Sequence, residues 1–191
     1  MTRWEPDAHG RLGAAAMELY SERGYDQTTV AEIAKRAGLT ERTFFRYFAD
    51  KREVLFHGSV LLQERLVQGI EDAPPALSPI DAVGAALEAA ACPLEEVRGF
   101  SRQRQAIIAA NPELQERELI KLAALAAAVA DALRKRGVPD PAASLAAEAG
   151  LAVFKIAFQR WVGGDGDSGK QTLAQLIRQS LAELKSVTTG S

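Results

Sequence analysis

The sequence predicts an all-α fold, on three observations. Alanine, leucine, glutamate, arginine and lysine dominate at helical spacing; strand-like alternation is nearly absent; and helix breakers divide the chain into segments. The breakers are ERGYDQ near Gly24, AGL at Gly38, FADK near Asp50, DAPPALSP (Asp72 to Pro79), ACP ending at Pro93, ANP ending at Pro112, RGVPDP (Arg136 to Pro141) and GGDGDSG (Gly163 to Gly169). These eight interruptions predict about nine helices. With 191 residues, 47% of them apolar, the chain has enough material for a real core.

The first helix is expected from about Asp7 to Arg23, with Leu12, Ala16, Leu19 and Tyr20 on one face. Thr29 and Glu32 have the spacing of a capping box, which predicts a second helix from Val30 to Ala37 with Val30, Ile33, Ala34 and Ala37 turned inward. Gly38 permits the left-handed backbone that ends it. Thr40 can cap a third start, where Phe44 and Phe48 lie four apart and, with Leu39, can pack on Ile33, Ala34 and Leu19. That geometry leaves Glu41, Arg42, Phe45 and Arg46 outside, with Thr43 and Tyr47 flanking the buried stripe. Two short capped helices around a glycine form a helix-turn-helix.

Asp50 and Glu53 repeat the capping logic and predict a helix to about Asp72, with Val54, Leu55, Leu62, Leu66 and Ile70 apolar. At 1.5 Å per residue it spans roughly 33 Å. Beyond Pro79 the helices are rich in alanine, which allows close packing. The segment from Pro141 to Val162 is apolar nearly all round, with Lys155 the only charge between Ala149 and Phe158. The last helix, Gly169 to Lys185, carries Leu173, Leu176, Ile177, Leu181 and Leu184 as one stripe. Helices apolar on most sides are buried on most sides, so these last two are expected to form a four-helix bundle with the same pair from a second copy, giving a homodimer.

The formal net charge is −2, but it is unevenly spread. From Lys35 to Arg52 there are six basic and two acidic residues, whereas from Gly58 onward there are fourteen basic and sixteen acidic. The local basic stretch is the electrostatic footprint of a nucleic-acid partner. A lone cysteine, Cys92, excludes an intramolecular disulfide or thiolate metal cluster and reads as a small buried hydrophobe. His9 and His57 are far apart in sequence and suggest no metal site. There is no paired nucleophile and base, no phosphate-binding glycine loop and no spaced acidic set in GGDGDSG, so no enzyme, cofactor or metal is expected. MTRWEPDAHG has no basic-then-apolar leader; Arg3 and Trp4 read as a frayed terminus. The longest apolar run, Leu122 to Ala130, is short of the roughly 20 residues a membrane span needs. A cytoplasmic protein that does not enter the membrane is the expectation.

The stretch GYDQTTVAEIAKRAGLTERTFFRYFADKREVL, Gly24 to Leu55, resembles the helix-turn-helix of the TetR (tetracycline repressor) family of bacterial transcriptional regulators. The resemblance is specific over about the first 57 residues; beyond them only the helical layout is similar. It implies a DNA-binding domain over residues 1–57 and a ligand-binding and dimerisation domain over 58–191. It further implies a recognition helix from Thr40 to Phe48 in the major groove of a double-stranded DNA operator, with Glu41 and Arg42 at base edges. Thr43, Tyr47 and Lys51 fall where family members touch phosphates, and Thr29 sits at a helix start suited to another. Arg46 adds a donor on the exposed face. Phe45 stands where the family more often has tyrosine; without the hydroxyl it contacts a thymine methyl or a sugar, or braces the helix.

The resemblance also implies the same homodimer and an apolar pocket for a small-molecule effector of unknown identity. Phe100, Ile107, Leu122, Phe154, Phe158 and Trp161 are candidates to line it, with Gln103 or Arg104 as polar anchor. Aromatics at that spacing equally suit ordinary core or the dimer seam. The function expected is a DNA-binding regulator, a repressor released from a palindromic operator by its ligand. The alternative is a helical ligand-binding protein that does not use its head for DNA.

Overall fold

The structure is a computed structural model that describes residues 8–164 and 171–189. Arg3, Trp4 and most of GGDGDSG lie outside the described residues. Among the described residues all regular structure is helical: α1 (Ala8–Arg23), α2 (Val30–Arg36), α3 (Glu41–Tyr47), α4 (Glu53–Phe56), α5 (Gly58–Glu71), α6 (Pro79–Ala91), a 3-10 turn (Cys92–Val97), α7 (Arg98–Ala109), α8 (Pro112–Lys135), α9 (Asp140–Gly163) and α10 (Leu173–Thr189). The chain divides into two compact units. One takes the chain up to Gly58 together with Gln103–Glu118; the other takes Ser59–Arg102 and Leu119 onward.

In the first unit α1 packs on α2 and α4, and α2 on α3. Leu12, Ala16, Leu19, Tyr20, Ile33, Ala34, Phe44 and Phe48 are all buried there, as their spacing predicts. Thr29 and Glu32 form both halves of the capping box, with the Glu32 amide donating to Thr29 Oγ1 at 3.3 Å and the Thr29 amide to Glu32 Oε2 at 2.9 Å. α2 ends in a Schellman motif at Gly38, φ +68°: Leu39 N–H donates to Ala34 O and Gly38 N–H to Lys35 O. A Cβ at Gly38 would lie 2.9 Å from the Arg11 guanidinium, which donates to Ala37 O, so the turn is closed from outside as well.

The single helix expected from Asp50 to Asp72 is broken at His57. Asp50, the expected cap, accepts from the amides of Arg52 and Glu53 at 2.8 and 3.1 Å, but the residue directly before α4 is Arg52, which makes no side-chain cap bond. At the end of α4 the His57 ring bonds Val54 O, one turn back, at 2.7 Å, and α5 starts at the next residue, Gly58. The break falls at the boundary between the units, so α4 and α5 belong to different ones.

The second unit is built on α6, α9 and α10, each packed on the other two. Leu87, Val83, Leu133, Trp161, Leu173 and Ile177 are in its core. Close approach depends on two glycines: a Cβ at Gly84 would meet Leu181 Cδ2 at 2.5 Å, and one at Gly150 would meet Val83 Cγ1 at 2.3 Å. Glu95 in the 3-10 turn accepts from the Trp161 indole at 3.2 Å and from the Leu173 amide at the start of α10. Arg98 and Arg102 donate to the carbonyls of Trp161 and Val162 at the end of α9, where cations suit the helix dipole. By length and composition α9 is apolar enough to cross a membrane; one side of it, with Ala147, Ala157 and Trp161, is fully enclosed in the core, while the rest is exposed. Cys92, expected inside, is exposed because it lies where α6 gives way to the 3-10 turn.

Candidate nucleic-acid interface

α3 presents one face to the core and the rest to solvent. Phe44 is fully buried and Phe48 nearly so, while Phe45 is 56% and Tyr47 41% exposed. Thr40 caps the helix, accepting from the Thr43 amide at 3.2 Å, with the two hydroxyls 3.0 Å apart. Glu41, Arg42 and Arg46 are exposed, and Thr43 is half-buried. Arg42, Thr43 and Arg46 line an open depression on this face. The Arg46 guanidinium donates to the Tyr47 hydroxyl at 3.1 Å and lies 4.9 Å above its ring. The structure therefore brings Thr40, Glu41, Arg42, Thr43, Phe45, Arg46 and Tyr47 onto one short helix, while Thr29 caps the neighbouring one.

Of the six cations between Lys35 and Arg52, four have partners within the protein: Arg46 on its neighbour Tyr47, and Arg36, Lys51 and Arg52 on groups outside α3. Arg36 is paired with Glu18 and Glu22 at 3.1 and 2.8 Å, and Arg52 with Asp50 at 2.6 Å. The hydrogen bond from Arg36, then its charge, hold the Glu22 carboxyl below the ordinary range. Burial raises Asp50, but the hydrogen bonds from the Arg52 side chain and the Glu53 and Arg52 amides outweigh it and hold the carboxyl down. Lys51, expected at a phosphate, has partners within the head. Its ammonium donates to Tyr25 O at 2.9 Å, Thr28 O at 3.1 Å and Asp26 O at 3.4 Å, and sits 4.2 Å over the Tyr25 ring. All three of these carbonyls belong to the loop between α1 and α2. Lys51 fixes the loop that positions Thr29. Among the described residues no carboxylate pairs with Lys35, Arg42 or Arg46, so the unneutralised charge is concentrated on α3 and the end of α2.

Contacts that the sequence did not reveal also support α3. His9 stacks on Phe48 with ring centroids 4.8 Å apart and meets His57 edge-on at 4.9 Å, so residues distant in sequence brace the end of α3. Gln103–Glu118 joins the same unit through Gln103 Nε2 to Ser21 Oγ, Arg104 to Leu55 O, and an Arg117–Glu53 ion pair. Arg104 also lies 5.1 Å over the Phe56 ring and pairs with Glu118 at 3.4 Å.

The candidates for the expected ligand pocket come from both units. Gln103, Arg104 and Ile107 fall in the first, where Gln103 meets Ser21 and Arg104 meets Leu55 and Glu118. Phe100, Leu122, Phe154, Phe158 and Trp161 fall in the second. Phe154, Phe158 and Trp161 form a ladder with centroids 5.8 and 5.6 Å apart, in which Trp161 is fully buried and Phe158 half-buried. Trp161 is core, its indole already satisfied by Glu95.

A capped helix-turn-helix with a cationic outer face, followed by a helical body, defines a DNA-binding transcriptional regulator. The family model for bacterial regulatory proteins of the tetR family matches residues 12–57, and that for the MftR C-terminal domain matches residues 77–189. The chain belongs to the TetR family, with an MftR-type C-terminal domain. It is 28% identical over 166 residues, 85% of this chain and 83% of the relative, to a Mycobacterium tuberculosis protein that carries the name of a mycofactocin biosynthesis transcriptional regulator, MftR. It is 36% identical over 74 residues, 39% of this chain, to the HTH-type transcriptional regulator TcmR of Streptomyces glaucescens, and 40% identical over 57 residues, 30% of this chain, to the fatty acid metabolism regulator protein of Bacillus subtilis. Those two matches span only 33% and 28% of the relatives' own lengths. Among solved structures, the FadR regulator of Bacillus subtilis in complex with stearoyl-CoA superposes with a TM-score of 0.62 at 20% identity, covering 92% of this chain and 97% of that one. A TetR-family regulator from Syntrophomonas wolfei superposes at 0.60 and 16% identity, over 96% and 95%. At these identities the two structures show the fold alone.

Proposed function

We propose that the protein is a repressor that binds a palindromic operator as a homodimer and leaves it when a small molecule binds the body. The single observation behind the DNA-binding part is the outer face of α3, where Arg42 and Arg46 stand exposed beside Thr43 and Tyr47 on a helix fixed from within by Phe44 and Phe48. Arg42 reads a base edge, with guanine the partner its fork fits. Thr43, Arg46 and Tyr47 hold phosphates, and Thr29 offers a helix start to another.

The homodimer is supported by α9, which leaves Leu145, Ala152 and Ile156 exposed at spacings of seven and four, with Leu145 71% and Ile156 50% accessible. A stripe of this kind is covered by the same stripe of a second copy, together with α10. Two heads related by a twofold axis then meet half-sites about one helical turn apart. Acyl-CoA is the first effector class to test, because the Bacillus subtilis FadR of similar fold holds stearoyl-CoA. Phe100, Leu122, Phe154 and Phe158 are the candidates to meet an acyl chain. A ligand that favours a dimer geometry unsuited to DNA weakens operator binding by population shift.

A gel shift across a salt series tests the proposal. Affinity that falls steeply with salt and relaxes at one base position in Arg42→Ala supports it; binding to no duplex at low salt contradicts it.

A further inference from the structure

The chain has two histidines, and the fold brings them together beside the end of α3. His9, in the first turn of α1, is half-buried; its ring stacks on Phe48 at 4.8 Å and lies edge-on to Tyr47 at 6.0 Å. His57, exposed at the end of α4, meets His9 at 4.9 Å and Phe48 at 6.3 Å. The Val54 carbonyl can only accept, so the His57 Nδ1 bonded to it carries the hydrogen and Nε2 is the nitrogen that titrates. All of these residues belong to the first unit.

We infer that the His9–His57 pair is a proton-dependent part of the DNA interface, which takes up a proton when the operator binds. The inference rests on the phosphate role of Tyr47 in the reading above and adds a group to that contact. Two imidazolium rings this close repel each other, so the pair holds one charge before it holds two. A phosphate held at Tyr47 brings negative charge beside His9 and favours the charged pair. Because the complex favours that form, the added affinity is complete at low pH and is lost as pH rises through the histidine range, about 6 to 7.

Among the described residues, the charged side chains near the pair along α1, α3, α4 and the segment packed on α4 have partners of their own. Arg11 donates to Ala37 O, Arg46 to the Tyr47 hydroxyl and Lys51 to the α1–α2 loop; Asp50 pairs with Arg52, Glu53 with Arg117 and Arg104 with Glu118. Carboxylates, thiols, lysines and arginines ordinarily change charge outside the window from about pH 5.5 to 7.5. A proton linkage inside that window therefore reports on the two histidines.

The test measures affinity for a duplex that the protein selects from random DNA, from about pH 7.5 to about pH 5.5 at constant ionic strength. Calorimetry near the middle of that range, in two buffers of different ionisation enthalpy, counts the protons taken up. Wild-type affinity is expected to rise about three- to tenfold on acidification, the gain when one proton is held more tightly in the complex by a like factor. His9→Gln with His57→Gln is expected to bind the same sequence with neither pH nor buffer dependence. Because His9 is the ring beside Tyr47, His9→Gln alone is expected to remove most of the linkage and His57→Gln alone to keep it. Melting curves at each pH separate lost binding from lost folding, and proton counting needs no variant, so a double variant that fails to fold leaves the test standing. Affinity that is flat or falls on acidification, wild-type binding without proton uptake, or a linkage that survives in the double variant overturns the inference while leaving the DNA-binding reading intact. A wild-type protein that selects no DNA at all overturns both.

Discussion

α3 in the head and α9 in the body both leave large apolar side chains in water, but in opposite company. On α3, Phe45 and Tyr47 stand among Arg42 and Arg46; on α9, Leu145 and Ile156 line up with Ala152, with Glu148, Gln159 and Arg160 at the edges of the stripe. An apolar group among cations that no carboxylate neutralises suits a partner that is charged on its backbone and apolar only at selected points. An apolar group among alanines suits a partner of its own kind. The difference teaches that exposure alone says little about function, and the charges around the exposed group say what covers it.

The largest effect bears on which α3 phenylalanine belongs to the interior. Phe44→Ala is expected to destabilise the head by about 3–5 kcal/mol, the cost of emptying a buried aromatic site. Phe45→Ala is expected to stay within about 0.5 kcal/mol of the wild type. Urea melts of the two variants measure both, and equal losses would erase the distinction between the inner and outer faces of α3. On α9, Leu145→Glu with Ile156→Glu is expected to weaken dimerisation at least about a hundredfold, or about 2.7 kcal/mol. Light scattering that still shows dimer at micromolar concentration would place the dimer contact elsewhere.

Arg42→Ala is expected to cost about 1–3 kcal/mol of operator binding, concentrated at one base position. Lys51→Met, by contrast, is expected to lower the melting temperature and leave the salt slope of DNA binding nearly unchanged, because its ammonium is directed at the carbonyls of Tyr25, Asp26 and Thr28. A slope reduced by about one unit would instead return Lys51 to the phosphates. The smallest effect is at the cap: Thr29→Ala is expected to cost about 1 kcal/mol. The same cap gives a pH dependence. Hydrogen bonds from the Thr29 amide, then its hydroxyl, hold the Glu32 carboxyl below its ordinary value. Its contribution is therefore present above the unfolded carboxylate pKa of about 4.3 and is lost as pH falls through the lower, folded value. Acid titration of Thr29→Ala is expected to show a shallower loss of head stability than that of the wild type.

Much of the head was legible because its signals are local. The capping box at Thr29, the cap at Thr40, the glycine at Gly38 and the four-residue spacing of Phe44 and Phe48 each lie within one turn of what they control. Other features depend on partners far along the chain. Nothing near Lys51 announces that the carbonyls it holds lie more than twenty residues earlier, and nothing near Arg117 announces Glu53. The capture of Gln103–Glu118 by the head unit, and the meeting of His9 with His57, arise from tertiary packing that periodicity does not encode. The helix break at His57 had a partial local signal in Gly58, but the bond from the ring to Val54 O did not. In the body, alanine spacing announced close packing, whereas the division of the pocket candidates between two units had no counterpart in sequence.

Selection of bound sequences from random duplex DNA by the purified protein tests the central claim most directly. The expected result is a palindrome whose half-sites lie about one helical turn apart, lost when Arg42 and Arg46 are both replaced by alanine. Recovery of no preferred sequence at low salt, or a preference unchanged in that double variant, would contradict it.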